Sequence, residues 1–117
     1  MGAKPGKRRQ RVRLHRIAHA RAGDKGDTSN VSVWVYEPKH FEAVKEQLTA
    51  ERVKRAFPKL IRGEVRRYEL PALHGLNFVM QRALEGGVNT SLNLDSHGKS
   101  WSYLLLDLEV EIEEEEP

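Results

Sequence analysis

Residues 21 to 36 read Arg21-Ala22-Gly23-Asp24-Lys25-Gly26-Asp27-Thr28-Ser29-Asn30-Val31-Ser32-Val33-Trp34-Val35-Tyr36. Val31, Val33 and Val35 recur at period two with Trp34 and Tyr36 between them, which predicts a strand over residues 31 to 36 that is covered on both faces. The preceding ten residues are the densest cluster of turn formers and charge in the chain. They predict a Gly-rich loop between two strands, and the rest of the chain is placed around that loop.

Upstream, apolar and charged residues alternate loosely from Val12 to Arg21. Val12 and Leu14 share one parity and Ile17 takes the other, so the first strand carries a bulge or a face switch. Downstream, Pro38 breaks the chain, and Phe41, Val44 and Leu48, then Val53, Phe57 and Leu60, follow helical spacing. Thr49 is the expected N-cap of the second segment, and Pro58 ends it. Residues 64 to 70 predict a strand stopped by Pro71. Leu73, Leu76, Met80, Ala83 and Leu84 predict one face of a helix closed by Gly86-Gly87. A strand over 88 to 94, a turn over 95 to 98, a short helix around Trp101, Leu104 and Leu105, and a closing strand with Leu108, Val110 and Ile112 complete the reading. Strands interleaved with helices in so short a chain predict an α+β two-layer sandwich, with one mainly antiparallel sheet and helices on one face.

At 117 residues the chain has room for one domain, expected over residues 12 to 112. Charged residues make up 32% and hydrophobic ones 38%, polar but sufficient for a core. The absence of cysteine excludes disulfides, thiolate metal sites and Cys nucleophiles. The formal charge of +3 conceals two opposed ends: Lys4, Lys7, Arg8, Arg9, Arg11 and Arg13 at the start, and Glu109, Glu111 and Glu113 to Glu116 at the finish. Residues 1 to 11 are expected as a disordered basic arm and 113 to 117 as an acidic tail, both solvated termini. No apolar h-region follows the basic start, and no run is long enough to span a bilayer. A cytoplasmic protein with no membrane partner is expected.

Several residues could carry chemistry. Gly23 and Gly26 permit positive φ and expose backbone N–H groups, while Arg21 and Lys25 add positive charge, a combination suited to cradling a carboxylate or phosphate. Asp24 and Asp27 supply carboxylates for cation binding, proton transfer or turn-making. Composition alone favours a hairpin loop in which these residues serve geometry. His15 and His19, on one strand, would stand about 13 Å apart, too far to share an ion. His40, His74 and His97 have no local partner, and neither a metal nor a cofactor is expected. Gly98-Lys99-Ser100 lacks the first glycine of a phosphate loop, and Gly23-Asp24-Lys25-Gly26 lacks the two flanking helices of a KH clamp. Asn77, inside an apolar segment, braces a loop, faces a pocket or lies exposed on the polar side with Gln81. Trp34, Tyr36, Arg66, Arg67 and Tyr68 are the pieces of a single-strand platform, but no RNP-like sequence accompanies them. Core packing is the expected fate of these aromatics, and nucleic acid is not an expected partner.

The stretches Ala20 to Asp27, Leu48 to Val53, Tyr68 to Leu73, Leu76 to Val79 and Gly86 to Val88 stand in the order and spacing of one known domain. The chain resembles the ferredoxin-fold domain at the C-terminus of acyclic terpene utilisation protein A, in a free-standing version. The resemblance covers about residues 13 to 107 and implies a ferredoxin-like α+β sandwich. The shape is all that the name carries, because no thiolate is present to hold an iron–sulfur cluster. Larger relatives act in pathways that degrade branched, terpene-derived acids as coenzyme A thioesters. The family's Arg-x-Gly-Asp-Lys-Gly motif falls on Arg21, Gly23, Asp24, Lys25 and Gly26, followed by Asp27, and its Asn-Phe pair on Asn77 and Phe78. The resulting expectation is an accessory subunit of a larger AtuA-type enzyme, which places Arg21, Gly23, Asp24, Lys25, Gly26, Asp27, Asn30 and Asn77 at the interface or ligand site. The alternatives are a lyase or hydratase using Asp24 or Asp27, and nucleic-acid binding through the basic arm. A homodimer through the edge formed by residues 108 to 112 is expected by analogy with other ferredoxin-like domains.

Overall fold

The computed structural model describes residues 7–25, 28–83 and 99–115. Its centre is β3 (Thr28–Val35), where Ser29, Val31, Val33 and Val35 are buried and Asn30, Ser32 and Trp34 alternate with them. β3 pairs antiparallel with β2 (Ala18–Lys25) on one side and β5 (Gly75–Gln81) on the other. β4 (Val65–Leu70) adds to β5, giving the order β2-β3-β5-β4. The predicted first strand is cut in two. A 3-10 turn at Leu14–Arg16 separates β1 (Lys7–Arg13) from β2, and this turn is the face switch implied by the parity change at Ile17.

The inner face of the sheet buries Val31, Val33, Leu76, Phe78 and Met80 in one core with Val44, Leu48, Val53, Trp101 and Leu105 of the helices. Those helices are α1 (Phe41–Gln47), α2 (Ala50–Ala56) and α3 (Lys99–Leu106). α2 packs on β4 and α3 on β2. Thr49 is the N-cap expected of it, its hydroxyl accepting from the Arg52 amide at 3.0 Å. The C-terminal carbonyls of α1 are held by arginines. Arg67 donates to the carbonyls of Lys45 at 2.7 Å and Leu48 at 2.9 Å. The α+β architecture, with helices on one face of an antiparallel sheet, is the expected one.

Two expectations are corrected. The helix over residues 73 to 84 does not form: a 3-10 turn at Pro71–Leu73 leads through His74, with φ of 52°, into strand β5. Leu76, Phe78 and Met80 satisfy period two as well as Leu76, Met80 and Ala83 satisfy helical spacing. Pairing to both β3 and β4 decides for the strand. Gly75 sits under Trp34, where a Cβ would come within 2.5 Å of the indole Cδ1. The strand expected over 88 to 94, the turn after it and Gly86-Gly87 lie outside the described residues.

The second correction concerns the termini. Lys7 to Arg13 form β1, which pairs antiparallel with β6 (Glu109–Glu115) as a two-stranded ribbon. Cross-strand partners include Arg8 with Glu114, Arg9 with Glu113, Arg11 with Glu111 and Arg13 with Glu109, so the two charge runs neutralise each other in register. Val12 and Val110 are opposed and buried. The basic arm and acidic tail are therefore structured from residue 7 and as far as residue 115.

The strand expected as a dimer edge, β6, has neighbours on both sides within the chain. One side of β6 takes β1, and the other is occupied from within the chain. The Gln47 carboxamide donates to the Glu111 carbonyl at 2.7 Å and accepts from its amide at 2.8 Å, and Arg52 donates to the Glu109 carbonyl at 2.6 Å. Among the described residues no helix is long and apolar enough to cross a membrane.

Candidate functional site

Residues opposite one another across an antiparallel sheet share a face. Three consecutive rungs on the outer face of the sheet, away from the core, read His19–Trp34–Gly75–Leu70, Arg21–Ser32–Asn77–Tyr68 and Gly23–Asn30–Val79–Arg66. Arg21, Gly23, Asn30 and Asn77, drawn from segments about fifty residues apart in sequence, thus occupy two adjacent rungs on one surface. Arg21 and Asn77 stand two strands apart, about 10 Å at the usual strand spacing. Asn77 is half-buried and donates to the Ser32 hydroxyl at 2.7 Å, so it braces the middle of the second rung.

Gly23 differs from what its loop position suggests. It lies within β2 paired with Asn30, in extended conformation rather than at positive φ. Among the described residues a Cβ there would meet only the Asn30 side chain, at 3.8 Å. The described residues therefore impose neither a conformational nor a steric need for glycine at 23, in contrast to Gly75 and to Gly63, where a Cβ would fall 2.5 Å from the Gln81 carbonyl. Strand glycines occur at bulges, at tight bends and where another chain or a ligand comes close to the backbone. The backbones of Asp24 and Lys25 end β2, paired with Ser29 and Thr28. Their side chains, Gly26 and Asp27 lie outside the described residues.

The aromatics expected in the core face outward instead. Tyr36 is 61% and Tyr68 48% exposed. His19 is stacked between Trp34 and Tyr36, with centroids 5.2 Å from each. Arg66 is exposed, and its guanidinium is held above its already high pKa by hydrogen bonding to Glu64 and then Tyr68. It is a permanent cation beside Tyr68. Arg67 lies on the inner side of β4 and is engaged by α1, which removes it from this surface. Tyr68 was not singled out as an outer-face neighbour of Arg21, because its rung depends on the register of β5 with both β3 and β4.

No group of three or more His, Asp or Glu side chains able to hold a metal ion occurs among the described residues. His15 lies in the 3-10 turn rather than on the strand of His19, and both line a shallow cleft of about 310 Å³ with Tyr36 and Tyr103. The outer face thus offers a guanidinium, amide and hydroxyl groups and flat aromatic surface. These recognise an anion flanked by an apolar or planar body.

Comparison with curated proteins and with solved structures gives no significant match. A family model described as the AtuA ferredoxin-like domain matches residues 12–111, which span β2 to β5, all three helices and the start of the ribbon strand β6. The chain belongs to the AtuA ferredoxin-like domain family.

Proposed function

We propose that the chain is an accessory domain of a larger AtuA-type enzyme. It docks through the outer face of the sheet and presents Arg21, with residues 23 to 27, to an anionic carboxylate or acyl-coenzyme A ligand at the interface. The observation that carries this reading is Gly23, an exposed strand glycine that the described residues do not require, one rung from Arg21. The exposed Tyr36 and Tyr68 and the His19–Trp34 stack supply the apolar part of a protein interface. Branched acids as coenzyme A thioesters are the ligand class that the family's larger members suggest.

Co-expression with a larger AtuA-type subunit tests the docking. The chain is expected to co-purify with it, and Gly23→Trp, which fills the outer face without entering the core, is expected to abolish co-purification while the isolated domain keeps its thermal midpoint. Undiminished co-purification of Gly23→Trp would remove the outer face as the interface.

A second reading draws on the same aromatics. Tyr36, Tyr68, Trp34, Arg21 and Arg66 on an open four-stranded sheet also suit stacked single-stranded nucleic acid. Binding to an oligouridine that falls steeply with salt would favour it over protein docking.

A further inference from the structure

Along an antiparallel strand, residues bonded to the neighbour alternate with residues whose backbone groups point away from it. The Tyr36 amide donates to the Ile17 carbonyl at 2.9 Å, and the register carries this bonding on to the pairs His19–Trp34, Arg21–Ser32 and Gly23–Asn30. The N–H and carbonyl groups of Ala18, Ala20 and Ala22 therefore point away from β3, at the edge of the four-stranded sheet. Ala18 is buried there, whereas Ala20 and Ala22 are partly exposed. Among the described residues nothing bonds to their edge groups. β2 holds no proline and pairs with β3 without a bulge, so neither device blunts this edge against a further strand.

The surroundings of the edge define the strand that fits it. The cleft of about 310 Å³ lies against β2, walled by Tyr36 and by Tyr103 and Leu106 of α3. Tyr103 is 66% exposed. On the side of α3 the strand carries only the small side chains of Ala18, Ala20 and Ala22, which leave room for larger apolar groups from a neighbouring strand. The outer side carries His19 and Arg21, with Arg16 in the turn before them. Neither arginine has an ion pair among the described residues. A strand added here sets alternate residues beside Arg21 and beside Tyr103 and Leu106, so acidic residues alternating with apolar ones match both sides. A second copy of β2 would instead bring the two Arg21 side chains to neighbouring rungs, a like-charge contact that disfavours it.

We infer that the free edge of β2 takes an extended segment of a partner protein in which acidic and apolar residues alternate. Its backbone bonds to Ala20 and Ala22, its carboxylates lie beside Arg21, and its apolar side chains lie against Tyr103 and Leu106. The surface is the edge of the sheet rather than its outer face, so peptide binding here and co-purification of the larger subunit fail separately.

The test is amide hydrogen exchange read by NMR on the 15N-labelled full chain, with acetyl-Glu-Val-Glu-Val-Glu-Val-amide as the probe. The controls are the same peptide with lysine for glutamate, and one of equal composition with its glutamates in a block. In the free chain the Ala20 and Ala22 amides are expected to exchange quickly and those of His19 and Arg21 slowly. The alternating acidic peptide is expected to slow Ala20 and Ala22 saturably at submillimolar concentration, and the controls are not. Ala20→Pro, which deletes an edge N–H where strands tolerate proline, is expected to weaken binding about tenfold or more. Tyr103→Glu, an exposed change on the cleft wall, is expected to weaken binding with the thermal midpoint kept, and it decides the matter if the proline variant does not fold. Ala20 and Ala22 amides already protected in the free chain would mean that residues 84 to 98, or a second copy if sedimentation shows a dimer, hold the edge. That result, equal binding of a control peptide, or unchanged affinity in either folded variant would overturn the assignment.

Discussion

The carboxamide of Gln47 completes the edge of β6 at Glu111, donating to its carbonyl at 2.7 Å and accepting from its amide at 2.8 Å as a neighbouring strand would. A side chain at the end of α1 therefore does for the ribbon what β3 and β5 do for each other. Glu111 is also the carboxylate that meets Arg9 and Arg11, so the helix layer and both ribbon strands converge on one residue. Gln47→Ala leaves both backbone groups without these partners in a half-buried place. A loss of about 1–3 kcal/mol by urea unfolding is expected, together with faster hydrogen exchange at the Glu111 amide.

Glycine substitutions separate fold from function. Gly75→Ala places a Cβ 2.5 Å from Trp34 and 2.8 Å from the Val33 carbonyl, and is expected to destabilise by about 1–3 kcal/mol through forced shifts. Gly23→Ala meets only ordinary contact with Asn30 and is expected to be neutral or to stabilise by up to about 1 kcal/mol. Chemical denaturation of the pair checks both, and a Gly23→Ala as damaging as Gly75→Ala would return Gly23 to a structural role.

Removal of the Thr49 hydroxyl by Thr49→Ala takes the acceptor from the Arg52 amide at the start of α2. The expected cost is about 0.5–2 kcal/mol in the unfolding midpoint analysis. Thr49→Ser, which keeps the acceptor, is expected to recover most of it.

The ribbon is the part of the fold most exposed to salt. Its ion pairs, Arg11 with Glu111 at 3.4 Å and Arg13 with Asp107 at 2.5 Å among them, lie between largely exposed side chains, and each is worth at most about 1 kcal/mol. In concentrated sodium chloride, where screening acts within about 3 Å, the amides of Arg11 and Val12 are expected to exchange faster. Those of Val33 and Phe78, held in the central strands of the sheet, are expected to change little.

Which parts were legible in the sequence follows from where their causes lie. The strand through Val31, Val33 and Val35, the two short helices and the Thr49 cap were readable because period and capping are local. Residues 75 to 81 were misread because their apolar positions fit both periods, and the choice is made by strands elsewhere in the chain. The basic start read as a solvated arm because its complement, the run around Glu111, lies a hundred residues away. In the site, Arg21 and Gly23 stood out by composition. Their neighbours Ser32, Asn77 and Tyr68 meet them only through the register of three strand pairs.

The central claim is that Arg21 on the outer sheet face receives an anionic ligand at the docked interface. Calorimetric titration of isovaleryl-coenzyme A and of isovalerate into the co-purified complex, with wild-type and Arg21→Ala chains, tests it most directly. The account predicts affinity weakened about tenfold or more in Arg21→Ala, the loss of a charge-assisted contact, with the complex still assembled. Unchanged affinity for both ligands in that variant would contradict it.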